Sequence, residues 1–364
     1  MPFALERWFA AQPRDWRCDL SPSGARALSL DELLALASPS ERAEFARAPL
    51  GYGPGQGSTE LRALIATRYP GVDDEDVVVT CGAIEALLLC VGALVGPGDE
   101  IIVQQPMYGA VAGMAQALGA RVRPWILEEE RGYRADLSAL AALLSPRTRL
   151  VAITQPNNPT GAVLEDDAMG ELVHLIGSVG AWLLSDEVSR DLALGPQVVT
   201  PAVATGYDRA ISVADVTKPF GLGGLRVGWF VSRAGELRAA ASARRDYTTL
   251  SPATPSDLLA RIALRHAAEI IAQPAALARE HLRELNALAA AHDMISLVPP
   301  RAGLTAFVRA RGASALQRHL ADEGVLVVPG ELFGAPDHLR IWLGASDDSF
   351  AYALSCIDRY LASD

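Results

Sequence analysis

Between residues 77 and 232, short runs rich in β-branched and aromatic residues alternate with helical patterns, and this alternation restricts the fold more than any other feature. The runs are VVVT (77–80), EIIVQ (100–104), RVRPWIL (121–127), RLVAIT (149–154), AWLLSD (181–186), RAISVAD (209–215) and RVGWFVS (226–232). A parallel neighbour in a sheet requires a crossover, usually a helix, so seven such runs predict an α/β domain on a seven-stranded, mostly parallel sheet. Sheets of this kind bind ligands outside the carboxyl ends of their strands. The residues that close each run are therefore the ones to inspect for chemistry.

After Thr254 the character changes. An Ala/Leu/Arg-rich stretch with helical spacing (258–292) is followed by strand-like runs LTAFVRA (304–310), GVLVVPG (324–330) and HLRIWLG (338–344), and then by a last helix (348–362). The reading is a large domain over 46–250 and a smaller α+β domain over 251–364, with the N-terminal segment 1–45 counted as part of the smaller one. A chain of 364 residues can bury two cores. With no internal repeat or low-complexity linker, the two units are expected to pack together with the site between them.

Several function classes are disfavoured. The net charge is −11 and the basic residues gather nowhere into a patch, so nucleic acid is not an expected partner. Cys18, Cys81, Cys90 and Cys356 show no CxxC or Cys/His ligand spacing, which suggests neither a disulfide framework nor a metal site. Glu6 and Arg7 interrupt the first ten residues where a secretory signal needs an unbroken apolar stretch, and later apolar runs are broken before bilayer length. A cytoplasmic protein with no membrane segment is expected.

Of the 32 basic residues, 31 are arginine and one, Lys218, is lysine. A coding bias towards arginine accounts for the deficit, and under that bias a surviving lysine marks a position where arginine cannot substitute. Arginine stays protonated in proteins, whereas lysine can lose its proton and attack a carbonyl to form an imine. Lys218 is thus a candidate Schiff-base residue.

Its surroundings agree. VVVTCGAIEALLLCVGALV (77–95) reads as a strand, a glycine turn and an apolar helix, whose opening N–H groups at Gly82, Ala83 and Ile84 favour a phosphate. In TQPNNPTG (154–161) Asn158 offers an amide to a ligand oxygen, although Asn-Pro is also ordinary turn chemistry. Asp186 closes an apolar strand, where an acid either caps a helix or holds a cationic ring nitrogen. Beyond Lys218 the Gly-rich FGLGGLRVGW (220–229) carries Arg226, eight residues on, as a candidate anion ligand.

Taken in this order and spacing, the motifs resemble the fold-type-I pyridoxal-phosphate (PLP) enzymes, the aspartate aminotransferase superfamily, over nearly the whole chain. The resemblance implies that Lys218 forms the Schiff base with PLP, that Asp186 pairs with the pyridine nitrogen, that Asn158 bonds the ring oxygen and that Tyr108 stacks on the ring. Gly82, Ala83, Ile84 and Arg226 would hold the phosphate, and Arg340 would grip the α-carboxylate of an amino-acid substrate through a bidentate fork. Tyr52, in GYGPGQGSTELR, matches a residue that reaches the neighbouring subunit's phosphate, which implies a homodimer with shared sites.

Two positions depart from that pattern. Where the family reads Asp-x-x-Tyr, with the tyrosine bonding the ring oxygen, this chain has Ser189; where a Ser or Thr bonds the phosphate, it has Asp215. Both touch the cofactor's seating or electronics. A narrower similarity, through LERWFAAQPRDWRCDLSPSGARALSLDELLAL (5–36), RRDYTTLSP, RAGLTAF and GVLVVPGELFG, is to cyclases of the capreomycidine synthase type, which eliminate a β- or γ-substituent from a hydroxylated arginine and close a ring. That similarity puts Ser23 and Gly24 near the substrate. Arg26 falls where a group suited to a guanidinium is expected, and its like charge disfavours arginine-type substrates. The expected reaction is elimination or replacement at Cβ or Cγ with ring closure; a conventional aminotransferase and an S-adenosylmethionine γ-replacement enzyme are the alternatives. A ligand-sensing regulator on the same fold is opposed by the intact set Lys218, Asp186, Asn158 and Arg340.

Overall fold

A computed structural model describes residues 3–196 and 199–362. The seven runs form one sheet of strands β1 (Val77–Thr80), β2 (Glu100–Gln105), β3 (Arg121–Ile126), β4 (Thr148–Thr154), β5 (Trp182–Asp186), β6 (Ala210–Asp215) and β7 (Gly228–Val231), in the spatial order β1-β7-β6-β5-β4-β2-β3. Every pairing is parallel except those of β7, which runs antiparallel to both β1 and β6. Strands β1, β5 and β6 are buried at every position, which is why they read as continuous apolar runs. Alternate residues serve opposite faces: Val77, Val79, Val151 and Ile153 pack into one core, Val78, Leu150 and Ala152 into another.

The helices that matter for the site are α1 (Ala4–Ala11), α2 (Ala83–Leu94), α3 (Gly235–Arg245), α4 (Thr254–Arg265), α5 (Ala267–Ala291) and α6 (Asp347–Leu361). A second sheet, antiparallel throughout, contains β8 (Ile295–Leu297), β9 (Thr305–Ala310), β10 (Val328–Pro329) and β11 (His338–Trp342), ordered β10-β11-β9-β8. It shares a core with α5 and α6, to which Ala278, Leu285, Phe350, Ala353 and Ile357 contribute.

Two boundaries differ from the sequence reading. The helical stretch 258–292 is two helices that meet at His266, and the first of them, α4, buries Leu259, Ile262 and Ala263 in the core of the large sheet. The division therefore falls after α4 rather than at 251. The N-terminal segment is likewise shared: Cys18 and Leu20 join the small-sheet core, where Cys18–Asp19 pairs parallel with Val325–Leu326, while Leu33 and Ala37 join the large one. Amphipathic spacing reveals that a face is buried, not which sheet covers it. Among the described residues no helix is long and apolar enough to cross a membrane.

Candidate active site

At the carboxyl ends of β4, β5 and β6 lies a cavity of about 710 Å³, closed from the other side by α1 and by residues 22–27. Lys218 lines it, three residues beyond β6. The Lys218 carbonyl accepts the Ala25 N–H at 2.7 Å, and Gly24 packs so closely that a Cβ there would stand 3.2 Å from the lysine Cα and 3.3 Å from Cδ. Burial is the largest influence on the amine and lowers its pKa below the ordinary 10.5, while the charges of Asp215 and Asp186 oppose that shift. The result is an amine readier to act as a nucleophile.

Asp186 ends β5 with its carboxyl in the same cavity. Burial pushes it up to about 7; the Val188 N–H, 3.3 Å from Oδ1, opposes the shift and Asp215 adds to it. A cation arriving beside Asp186 would restore its charge. Asp215, the last residue of β6, is buried and accepts the Thr217 N–H through Oδ1 at 2.8 Å.

The anion cup is built from turns. Gly82, at φ +77°, caps α2, whose first N–H groups at Ala83 and Ile84 have no intrahelical acceptor and face the cavity. Arg226, itself left-handed at φ +54°, donates from Nη1 to the Gly223 carbonyl (3.0 Å) and from Nη2 to the Cys81 carbonyl (3.3 Å). A Cβ at position 82 would lie 2.4 Å from that Nη2, and one at Gly228 would lie 2.4 Å from the Ala83 nitrogen. Gly82 needs glycine for conformation as well as for contact, and Gly228 for contact.

Arg340, on β11, is 1 % exposed. It donates to the Ser21 carbonyl at 2.5 Å and to Asn158 Oδ1 at 3.2 Å, lies over the Phe333 ring, and leaves its buried Nε without a hydrogen-bond partner. Burial pushes the guanidinium down to about 10. An arginine in that condition calls for an anion. Tyr108, half-buried, donates its hydroxyl to Glu6 Oε1 at 2.7 Å and meets Phe3 edge-on at 4.9 Å, so both contacts come from the N-terminal segment. Burial, reinforced by Glu6, raises the phenol pKa.

Of the residues singled out in the sequence, Ser23, Gly24, Ala83, Ile84, Tyr108, Asn158, Asp186, Asp215, Lys218, Arg226 and Arg340 line this cavity, with Gly82 directly behind. Three do not. Arg26 turns outward and pairs with Glu32 at 2.6 Å, because Glu32 is already fixed by its capping box with Ser29. Ser189 is buried beside Gly303, and Val188 occupies the wall instead. Tyr52 is 89 % exposed, outside the cavity. Glu6, Thr154 and Thr217 line the site without having been singled out; the Thr154 hydroxyl is buried and has no hydrogen-bond partner. The run of β-branched residues marks Thr154 as a strand end, but nothing local in the sequence reveals that Glu6 meets Tyr108.

These residues fit PLP: an amine of lowered basicity, an acid awaiting a cation, a helix N-terminus with an arginine for phosphate, and orphaned donors at Arg340 and Thr154. Comparison with known proteins agrees. The family model described as aminotransferase class I and II matches residues 30–357. Capreomycidine synthase of Streptomyces vinaceus is 36% identical over 99% of this chain and 93% of its own length. Among solved structures, a PLP-dependent aminotransferase from Streptococcus suis superposes with a TM-score of 0.94 at 30% identity, covering 100% of this chain and 98% of that one. The PLP-dependent cyclase OrfR superposes with a TM-score of 0.90 at 31% identity, covering 100% and 97%. This chain belongs to the aminotransferase class I and II family and is a PLP-dependent enzyme.

Proposed function

We propose that the enzyme removes the Cα proton of an amino acid, expels a substituent from Cβ or Cγ and closes a ring by adding a side-chain nitrogen, in the biosynthesis of a nonproteinogenic amino acid. The observation that carries this reading is the similarity to capreomycidine synthase along 99% of the chain. Ser189 supports it: with no tyrosine there and the serine out of the cavity, the ring-oxygen side keeps Asn158 as the partner that the family resemblance assigns.

PLP, when bound, supplies the electron sink for the carbanion at Cα. Arg340 would hold the substrate α-carboxylate and so fix the direction of the Cα–H bond. Lys218 Nζ, whose basicity burial lowers, would be the base that takes the Cα proton. Asp186 would keep a proton on the ring nitrogen. On the far wall Glu6 offers a carboxylate, and the outward turn of Arg26 removes the like charge that disfavoured cationic substrates. The cavity therefore suits a side chain ending in a cationic nitrogen or a sulfonium. A homodimer completes the reading, since Tyr52 stands exposed beside Leu50 as a residue for a partner's phosphate would.

The test is product analysis by mass spectrometry of the purified holoenzyme with hydroxylated basic amino acids, S-adenosylmethionine and keto acids. A cyclic or substituted product with the cofactor left as PLP is expected. Stoichiometric pyridoxamine phosphate, discharged by an added keto acid, would replace this reading with transamination.

A further inference from the structure

Three acids line the cavity, Glu6, Asp186 and Asp215, and Asp215 alone has no part in the chemistry so far. Its place is fixed by the sheet. Asp215 on β6 stands directly opposite Gly228 on β7, and Gly228 opposite Thr80 on β1. Residues paired across strands put their side chains on the same face, and a Cβ at Gly228 would meet the Ala83 nitrogen and Gly82. The Asp215 side chain is therefore on the α2 face, where Val213, two residues earlier, shares a core with Ala83 and Ala86. In this row only Gly228, which has no side chain, stands between Asp215 and the N–H groups that open the cup.

A carboxylate beside a phosphate is repelled unless it turns away, pairs with a cation or shares a proton with its neighbour. Asp215 does not turn away: it is 7 % exposed, lines the cavity and is held through Oδ1 by the Thr217 N–H. Arg226 commits Nη1 to the Gly223 carbonyl and Nη2 to the Cys81 carbonyl, and among the described residues neither it nor Lys218 forms an ion pair with Asp215. The other ionisable groups bring no relief. Asp186 on β5 is a second acid, and Glu85 in the first turn of α2 a third, engaged by the Cys81 N–H and the hydroxyls of Thr248 and Thr249. Glu6, Arg7, Tyr108 and Arg340 sit on walls supplied by α1, the loop after β2 and β11. The cup thus offers one positive charge from Arg226 and roughly half of one from the α2 N-terminus, and Asp215 cancels most of it. Against this stands a phosphate monoester that carries about two negative charges above its second pKa, near 6.

We propose that Asp215 and the cofactor phosphate share one proton, so that cofactor binding draws from solvent a proton that a serine at this position would not require. The pair titrates as a unit. Below its pKa the proton bridges a carboxyl oxygen and a phosphate oxygen, and Asp215 serves as a hydrogen-bonding partner in place of the family's hydroxyl. Above it the two repel, and the cofactor is held less tightly. The proposal is independent of which reaction follows at the substrate.

The experiment uses pyridoxine 5′-phosphate, which lacks the aldehyde that would react with Lys218, and counts protons by calorimetric titration of the apo-protein near pH 8 in buffers of different ionisation enthalpy. Wild type is expected to take up about one proton more than Asp215→Asn, which keeps an acceptor for the Thr217 N–H but cannot ionise. Wild-type affinity relative to that variant should fall about tenfold between about pH 7 and 8. Asp215→Ser should behave as Asp215→Asn. With pyridoxine, which has no phosphate, wild type and both variants should take up protons alike. Equal uptake and parallel pH profiles with pyridoxine 5′-phosphate would overturn the proposal. So would a difference that persists with pyridoxine, because the proton would then belong to some other partner of Asp215.

Discussion

Burial holds the Asp186 carboxyl at about 7 instead of 3.8, which has a consequence for the cofactor-free protein. A folded-state pKa raised above the unfolded one means the folded chain binds the proton more tightly, so this contribution to stability is complete below 3.8 and is lost as pH rises through about 7. Asp186→Asn cannot ionise and should lack that loss. Denaturant unfolding of the apo-protein at pH 5.5 and 8 should show the wild type losing about 2 kcal/mol relative to the variant; parallel behaviour would place the titration elsewhere. The residues of the site were unequally legible. Lys218 stood out by composition, and Asp186, Asn158 and Arg226 by their places at strand ends. Glu6 did not, because its partner Tyr108 lies 102 positions away. Arg26 misled because the direction of a side chain depends on a neighbour, Glu32, whose orientation is set by a cap.

Among the elements, β1 was readable to the residue and the other sheet strands to within a position or two, since a strand buried on both faces is a compact apolar run between polar turns. The reversed direction of β7 was not, for such a run carries no arrow. That reversal matters to the site: β7 returns from the Lys218 loop and brings Gly228 against the start of α2. Gly228→Ala places a methyl 2.4 Å from the Ala83 nitrogen and from the Gly82 carbonyl carbon, backbone atoms that can yield only by moving the cup. We expect a fold retained at a cost of about 1–3 kcal/mol. PLP affinity should weaken at least tenfold, which spectrophotometric titration would measure; wild-type affinity would show that the cup tolerates the shift.

At the level of the whole molecule, α1 and β11 both line the cavity at the end of the large sheet, so the site is complete only when the small sheet and the N-terminal segment are docked. The proposed homodimer would cover the exposed Leu50, Tyr52 and Tyr247. Sedimentation at micromolar concentration should give twice the chain mass, with an interface above roughly 2,000 Å²; a fully active monomer would contradict it. The single lysine also sets how the molecule presents itself to reagents. Since Lys218 lines the cavity, the outer surface carries no lysine, and reagents that need a lysine side chain find none there. A lysine label found on this protein would therefore report on the state of its active site.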